Sequence, residues 1–547
     1  MNMNKKILIG GAWPYANGSF HIGHLASLLP GDVIARYHRA CNDKVYFVSG
    51  SDCHGTPVAL RAKAEGKSPQ EVSDRYHEEF VDCLNRLGFS YDCYTKTSAK
   101  AHKDFIQDFH RTLYNSKYVY EKTTPQAYCD CCGTFLADRF VTGICPKCGE
   151  PARGDQCDVC GTVLDPEILK EPVCAICKNP VSFRDSKHLY IAITKLEKEL
   201  RALVEKGTSW RKNAISFTNR YIDEGLRDRA LTRDLEWGIP VPKDGYDGKT
   251  IYIWAENVLG YLSASKVVCD ERGESFEELF GEDAKHYYVH GKDNIPFHTI
   301  ILPALLLAHG KGYHLPDQIV SSEYLTLEGR KISTSRNYAI WVKDLLDKYD
   351  PDSLRYYFLS NGPEKKDADF SWSEYVNNHN GELLGAYGNF INRSLSFINK
   401  YLGGIVPEVS VSSEWESTIQ SLYEDTGKRI EAGNIKEALD GIFEVVRKAN
   451  KYFDSEEPWK TRTSDTAACN NTLYQCTQII ANLSVILAPF IPFSSEKVFG
   501  WLGINGEWNV KKVPAGYKLP EISILFERLD KAVIEEERSR LEEIIKE

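Results

Sequence analysis

His21 and His24 stand three residues apart in His21-Ile22-Gly23-His24, and far along the chain lies a basic, hydroxyl-rich run, Lys331-Ile332-Ser333-Thr334-Ser335. Imidazoles at a helix start suit an anion, because backbone N–H groups are free there. The spacing puts both rings on one helical face, and Gly23 leaves room for a flat base to lie close. Lys331, with Arg330 before it, supplies positive charge, while Ser333, Thr334 and Ser335 supply hydroxyls and turn-prone backbone. Two such segments facing each other would grip a triphosphate from two sides. Either alone is weak evidence, since a histidine pair also caps helices and a basic loop is usually just solvated. In combination they favour nucleotide chemistry.

Eight of the sixteen cysteines form four Cys-x-x-Cys turns: Cys129 with Cys132, Cys145 with Cys148, Cys157 with Cys160, and Cys174 with Cys177. Each turn presents two thiolates to one ion. Zinc takes four ligands tetrahedrally, so eight cysteines make two closed, structural sites with no open position for water. Spacing alone leaves the pairing of the turns open, and Cys131 stands aside as an extra thiol. Metal ligation rather than disulfide bonding implies a reducing compartment.

The elements that must position these residues read as parallel-sheet units. Lys5 to Gly11 is a short buried strand ending in a glycine turn, and Leu25, Leu28, Leu29, Val33, Ile34 and Tyr37 recur at helical spacing. Pro30-Gly31 should bend that helix. Val45 to Val48 is a second strand, which completes a βαβ unit. A second unit follows from the strand Tyr287–Val289, an apolar helix over 297–309 and a strand at Ile319–Ser322. The cysteine segment splits the two units. Past about residue 384 the pattern is helical, with Ile435, Ala438, Leu439, Ile442, Phe443, Val446 and Ala449 on one apolar face.

At 547 residues the chain exceeds one core, so several domains are expected. Hydrophobic content of 42% and charged content of 26% are ordinary for a soluble globular protein. No apolar run reaches membrane-spanning length and no signal peptide is evident, so a cytoplasmic address is expected, with no membrane partner. A net charge of −10 argues against a general nucleic-acid coat but leaves room for one basic face.

His21 to His24 and the Lys331 run resemble the HIGH and KMSKS signatures of class I aminoacyl-tRNA synthetases. Ala12-Trp13-Pro14-Tyr15-Ala16-Asn17-Gly18-Ser19, Asp52-Cys53-His54-Gly55-Thr56-Pro57, Gly291-Lys292-Asp293 with His298, Asp352 to Tyr357 and Glu457-Pro458-Trp459 are similar to the methionyl-tRNA synthetase family. The resemblance covers nearly the whole chain. It implies an α/β fold: a split Rossmann-type parallel-sheet catalytic domain with a zinc-binding insertion, then an α-helical bundle that binds the anticodon. The corresponding ranges are 1–117 and 235–324 for the catalytic halves, 118–234 for the insertion, 325–383 for the signature loop and stem-contact region, and 384–547 for the bundle.

What the family does implies a reaction. The methionine carboxylate attacks the α-phosphorus of ATP, which enters with Mg²⁺, and methionine then passes to the 3′ adenosine of its tRNA. Catalysis is positioning and charge stabilisation. By resemblance His21, His24 and Lys331 are catalytic, and ATP is held by His21, Gly23, His24, Gly291, Asp293 at the ribose, Lys331, Ser333 and Thr334. Asp52 binds the ammonium. Trp13, Tyr15, Trp254, Asn257, Val258, Tyr261, Asn294 and His298 complete the methionine pocket, where a thioether packs well on rings. Asn389, Arg393 and Trp459 match the residues that read the anticodon, by edge hydrogen bonds and stacking. The family also suggests nested zinc pairing, the inner four cysteines on one ion and the outer four on the other.

The chain departs from the pattern in places. Thr334 replaces the second lysine of KMSKS, which removes a mobile charge. An active enzyme with a rearranged grip is expected, Arg336 being placed to swing in. Trp13 stands where leucine is common, Ala255-Glu256-Asn257-Val258 replaces an Asp-Ala-Pro-type stretch, and Asn294 replaces an aliphatic residue. These changes should alter pocket shape and inhibitor sensitivity rather than substrate. With no further RNA-binding barrel after the bundle, a monomer is the default expectation. The rivals are another class I synthetase, though those with a large editing insertion need more than 547 residues, and a catalytically weakened paralogue acting as an RNA-binding or regulatory protein.

Overall fold

A computed structural model of the chain describes residues 5–546 apart from 155, 156, 158, 161–163, 335 and 336. Five parallel strands form the central sheet: β1 (Lys6–Gly11), β2 (Lys44–Ser51), β3 (Cys93–Lys96), β4 (Ala284–Gly291) and β5 (Gln318–Ser322), in spatial order β5-β4-β1-β2-β3. The chain leaves β1 outward in one direction, then returns to build the other side. The order therefore reverses between β1 and β4, where open parallel sheets bind ligands.

Alternation along β1 assigns its faces. Ile7 and Ile9 pack with Phe47, Tyr287, Val289 and Val320 on one side, and Leu8 packs with Tyr46, Val48, Tyr288 and Ile319 on the other. Helix α1 (Ile22–Ala40) covers the first face. It runs unbroken through Pro30, and a side chain at Gly31 would come within 3.3 Å of the Phe47 ring. The expected proline position is therefore a place of close helix–sheet packing inside a single 19-residue helix.

The insertion is antiparallel. Val119–Cys129 and Ser182–Ile191 form a long ladder, and the cysteine lobe carries a separate three-stranded sheet with its own small core. The helical part begins with a continuous run from Trp372 to Tyr401, of which His379–Gly388 is π-helical. It continues through Ser413–Glu431, Ile435–Glu456, Pro458–Ser464, Thr466–Leu487 and Pro492–Leu502, and the Ala532–Lys546 helix ends the described chain. No described helix is long and apolar enough to cross a membrane.

A buried ion pair pins these parts together. The Arg355 guanidinium, fully buried, donates to Asp32 of α1 at 2.7 Å and to the carbonyls of Phe490, Pro489 and Leu87. Burial alone would raise the Asp32 carboxyl, but Arg355, Arg36 and the Ser90 hydrogen bonds hold it down at about 2.

Candidate active site

The loop after β1 and the loop after β2 are stitched together by backbone bonds. Asp52 N–H donates to the Pro14 carbonyl and Ala16 N–H to the Asp52 carbonyl, both at 2.8 Å. Tyr15 and Asp52 are thus held side by side at the carboxyl ends of adjacent strands. Trp13 lies in a slot between two glycines: a Cβ on Gly50 or Gly260 would meet its ring at 2.5 and 2.6 Å. The larger ring at this position is accommodated by backbone without side chains.

After β4 the chain forms a short 3₁₀ turn, Lys292–Asn294, and a π-helical turn, Phe297–Ile301. His298 sits in that π turn, a geometry often found at functional sites. Its Nδ1–H donates to the Asn294 carbonyl at 2.8 Å, so Nε2 accepts from the Tyr261 hydroxyl at 2.7 Å. Burial lowers its pKa to about 4, which keeps the ring neutral. Trp254 stacks on Phe297 at 3.6 Å and meets Tyr15 edge-on at 6.3 Å.

All nine residues expected to contact methionine line one cavity of ≈ 170 Å³, together with His24 of α1. Ala12, Pro14, Ser27, Leu28 and Phe297 complete it. Of these, Phe297 is a pocket residue beyond the expected set, and its only signal in the sequence is an aromatic next to His298.

His21 is the N-cap of α1, and the two histidines form a reciprocal cap. Gly23 N–H donates to His21 Nδ1 at 3.1 Å, and His21 N–H donates to His24 Nδ1 at 3.3 Å. With both Nδ1 atoms accepting, each ring carries its proton on Nε2. The rings stack at 3.7 Å. Burial lowers His21 to about 4, while burial and then the neighbouring His21 lower His24, so the pair is two neutral N–H donors near pH 7. A Cβ on Gly23 would meet the His21 ring at 2.9 Å, so the glycine is required by the cap itself as well as by an approaching ligand.

The second signature segment comes to the same place. Ile22 N–H donates to the Ile340 carbonyl and Val342 N–H to the Phe20 carbonyl, and His21 bridges Trp341. Ile332 lies 3.8 Å from where a Gly23 Cβ would be. Lys331 is exposed in the short strand Arg330–Lys331, which pairs with Leu325–Leu327. Ser333 and Tyr338 exchange backbone bonds at 2.9 Å to close the loop, with Thr334 exposed at its tip. Ser335 and Arg336 lie outside the described residues. The turn before Lys331 holds Glu328 at φ +45°, and its carboxylate accepts from Arg538 of the last helix at 3.1 and 3.3 Å and from Trp372 N–H at 3.0 Å. Gly291 ends β4, and exposed Asp293 accepts from the Tyr324 hydroxyl just beyond the cavity.

The eight cysteines gather as two sets of four, Cys129, Cys132, Cys174 and Cys177, and Cys145, Cys148, Cys157 and Cys160. The pairing is nested. Sulfur–sulfur contacts of 3.4 and 4.0 Å in the outer set and 3.8 and 3.5 Å in the inner set bracket the edge of a tetrahedron with ~2.3 Å zinc–sulfur bonds, about 3.8 Å. Cys131 is exposed and belongs to neither.

On the helical part, Asn389 is exposed at the start of the Asn389–Tyr401 helix, one turn before Arg393. The Arg393 guanidinium lies 4.6 Å over Phe453 and 6.0 Å from the Trp459 ring, and it donates to Asp454 at 2.5 Å. Trp459 is 43% exposed where the chain turns through Glu457 at φ +43°.

A family profile described as tRNA synthetases class I (M) matches residues 7–395, and one for the anticodon-binding domain of tRNA ligase matches 414–547. The chain is 51% identical over 540 residues to a methionine–tRNA ligase of Bacillus cereus, covering 98% of this chain and 99% of that protein. It is 50% identical over 538 residues to methionine–tRNA ligase 1 of Alkaliphilus oremlandii, at the same coverage. The fold is also that of Mycobacterium tuberculosis methionyl-tRNA synthetase bound by methionyl-adenylate, with a TM-score of 0.80, 23% identity, and 96% of this chain and all of that one covered. With its histidine turn, its split parallel sheet, its two cysteine tetrads and its helical tail accounted for, the chain belongs to the methionine–tRNA ligases, the methionine group of class I tRNA synthetases.

Proposed function

We propose that this enzyme activates L-methionine with ATP and Mg²⁺ in the cavity beside Asp52 and passes the methionyl group to the 3′ adenosine of methionine tRNA, as a cytoplasmic enzyme. The observation that carries the residue assignment is the convergence of all nine expected pocket residues and His24 on one cavity at the sheet's reversal point. Asp52 meets the ammonium, and Tyr15, Trp254, Tyr261 and Trp13 enclose the side chain. His298, held neutral and oriented by Tyr261 and Asn294, closes the end of the pocket without burying a charge against the thioether.

His21 and His24 direct their Nε2–H donors to the ATP phosphates. Two neutral donors can stack closely, whereas two imidazoliums would repel. Asp293 takes the ribose hydroxyls beside Gly291, and Lys331 neutralises the departing pyrophosphate with help from Ser333 and Thr334. Preorganised donors of this kind stabilise charge that grows in the transition state. Nothing in this scheme requires a covalent intermediate on the protein.

Both cysteine tetrads fit zinc by donor set and by sulfur spacing. Bound there, each ion would hold the lobe's shape without an open coordination position. Asn389, Arg393 and Trp459 offer amide, guanidinium and indole to unstacked anticodon bases.

Methionine-dependent ATP–pyrophosphate exchange tests the reading. Exchange with L-methionine that collapses in Asp52→Asn, in protein carrying two zinc ions per chain by elemental analysis, is expected. Exchange unaffected by that substitution, or an active protein free of zinc, would overturn the corresponding part.

A further inference from the structure

Next to Asp52, but not among the residues that line the cavity, lies a group of ionisable side chains that the mechanism above does not use. Glu256 ends the Ile253–Glu256 helix with its carboxyl fully buried. Its Oε1 faces His54 Nδ1 at 2.5 Å and His102 Nε2 at 3.7 Å. His102 is in turn fixed by Ser263 at 2.8 Å. Three distant segments thus meet on one carboxylate.

The group reaches the pocket by two routes. His54 N–H donates to Asp52 Oδ1 at 3.3 Å, and Asn257, the residue after Glu256, lines the cavity together with Asp52. Trp237 fixes the loop from outside, its Nε1–H donating to the Cys53 carbonyl at 2.6 Å. Trp13 of the pocket wall packs on His102 at 5.8 Å.

Two carboxylates therefore share one dry region. Burial opposes charge on both, and the two histidines hold Glu256 in its ionised form. Burial and then the Glu256 charge push the Asp52 carboxyl well above its usual range, and no cation among the described residues pairs with it. Such an arrangement rewards a ligand that brings a positive charge.

We propose that Glu256, clamped between His54 and His102, is a positioning residue for ammonium recognition: it braces Asp52 through His54 and adds a second fixed anion that favours a cationic amine over a neutral group. This rests on the reading that Asp52 meets the methionine ammonium. In a low-dielectric site a second anion at short range acts strongly on a cation.

The test compares L-methionine with 4-(methylthio)butanoate, which is methionine without its amine. In Glu256→Gln the KM for L-methionine in pyrophosphate exchange rises about tenfold, with kcat little changed. The inhibition constant of 4-(methylthio)butanoate stays the same or falls, because a repelling charge has gone. Glu256→Asp restores the charge and recovers most of the selectivity.

If Glu256→Gln weakens both ligands alike, or leaves the methionine KM unchanged, the proposal is overturned. An unchanged KM in Asp52→Asn would instead remove the underlying reading, so the two failures are distinguishable. Should Glu256→Gln not yield soluble protein, His102→Asn carries the same comparison. It leaves Glu256 in place but strips one partner, and equal weakening of the two ligands would again overturn the proposal.

Discussion

The cavity beside Asp52 and the edge around Trp459 use similar side chains in opposite surroundings. At the cavity, aromatic rings gather around a buried carboxylate, on the backbone-stitched loops after β1 and β2 and on the helical turns beside them. At the edge, Arg393 and Trp459 stand half in solvent, with Phe453 and Asp454 behind them. A small ligand with one charge and a greasy chain calls for a dry, preformed enclosure, whereas bases that unstack on arrival call for open faces on which to stack. On the proposed assignment, one region selects by exclusion of water and the other by presentation of surface.

Substitutions can break this contrast. Asp52→Ala has the largest expected effect, because it leaves a buried ligand ammonium unpaired. A loss of about 10²–10³-fold in kcat/KM for methionine is expected in both pyrophosphate exchange and tRNA charging. Lys331→Ala, which removes charge from the exposed side of the site, should lower the exchange rate by about 10²-fold with a smaller change in methionine KM. Measured KM and kcat together check that split.

Trp459→Ala should reduce tRNA charging by about 10–100-fold, the worth of one stacked base, while exchange stays at the parental level. Similar losses in both assays would remove the tryptophan from anticodon contact. Thr334→Ala should be the mildest, within about threefold in exchange, since a hydroxyl at an exposed loop tip makes a neutral hydrogen bond only. Equal effects of Lys331→Ala and Thr334→Ala would mean that the loop does not work through its lysine.

Much of the site was legible because its residues come in short contiguous words. Trp13 with Tyr15, Asp52 with His54, and Trp254 with Asn257 and Val258 each ride on one turn, so local sequence carries their relative placement. The order of the sheet was not legible, since β4 and β5 add beside β1 only after the insertion has come and gone. Nor was the clamp on Glu256, which assembles from residues on three separate elements. The stretch from Ala255 to Val258 stood out as a departure from the family, yet nothing local says that its glutamate would face two histidines. The π-helical turn at Phe297–Ile301 is likewise invisible to a periodicity argument that sees only an apolar helix. Cysteine spacing announced metal ligation, but which turns share an ion depended on how the lobe folds back on itself.

The nested tetrads also set an order of assembly. As the polypeptide leaves the ribosome, the fourth inner thiol, Cys160, emerges before the first of the returning outer pair, Cys174. If each tetrad takes the zinc proposed for it, the small knot captures its ion while the larger ring is still open. Once tied, it shortens the free tether that the outer thiols must close, which lowers the entropic cost of their meeting. With zinc bound as proposed, a nascent chain deprived of metal early would face that larger closure without help.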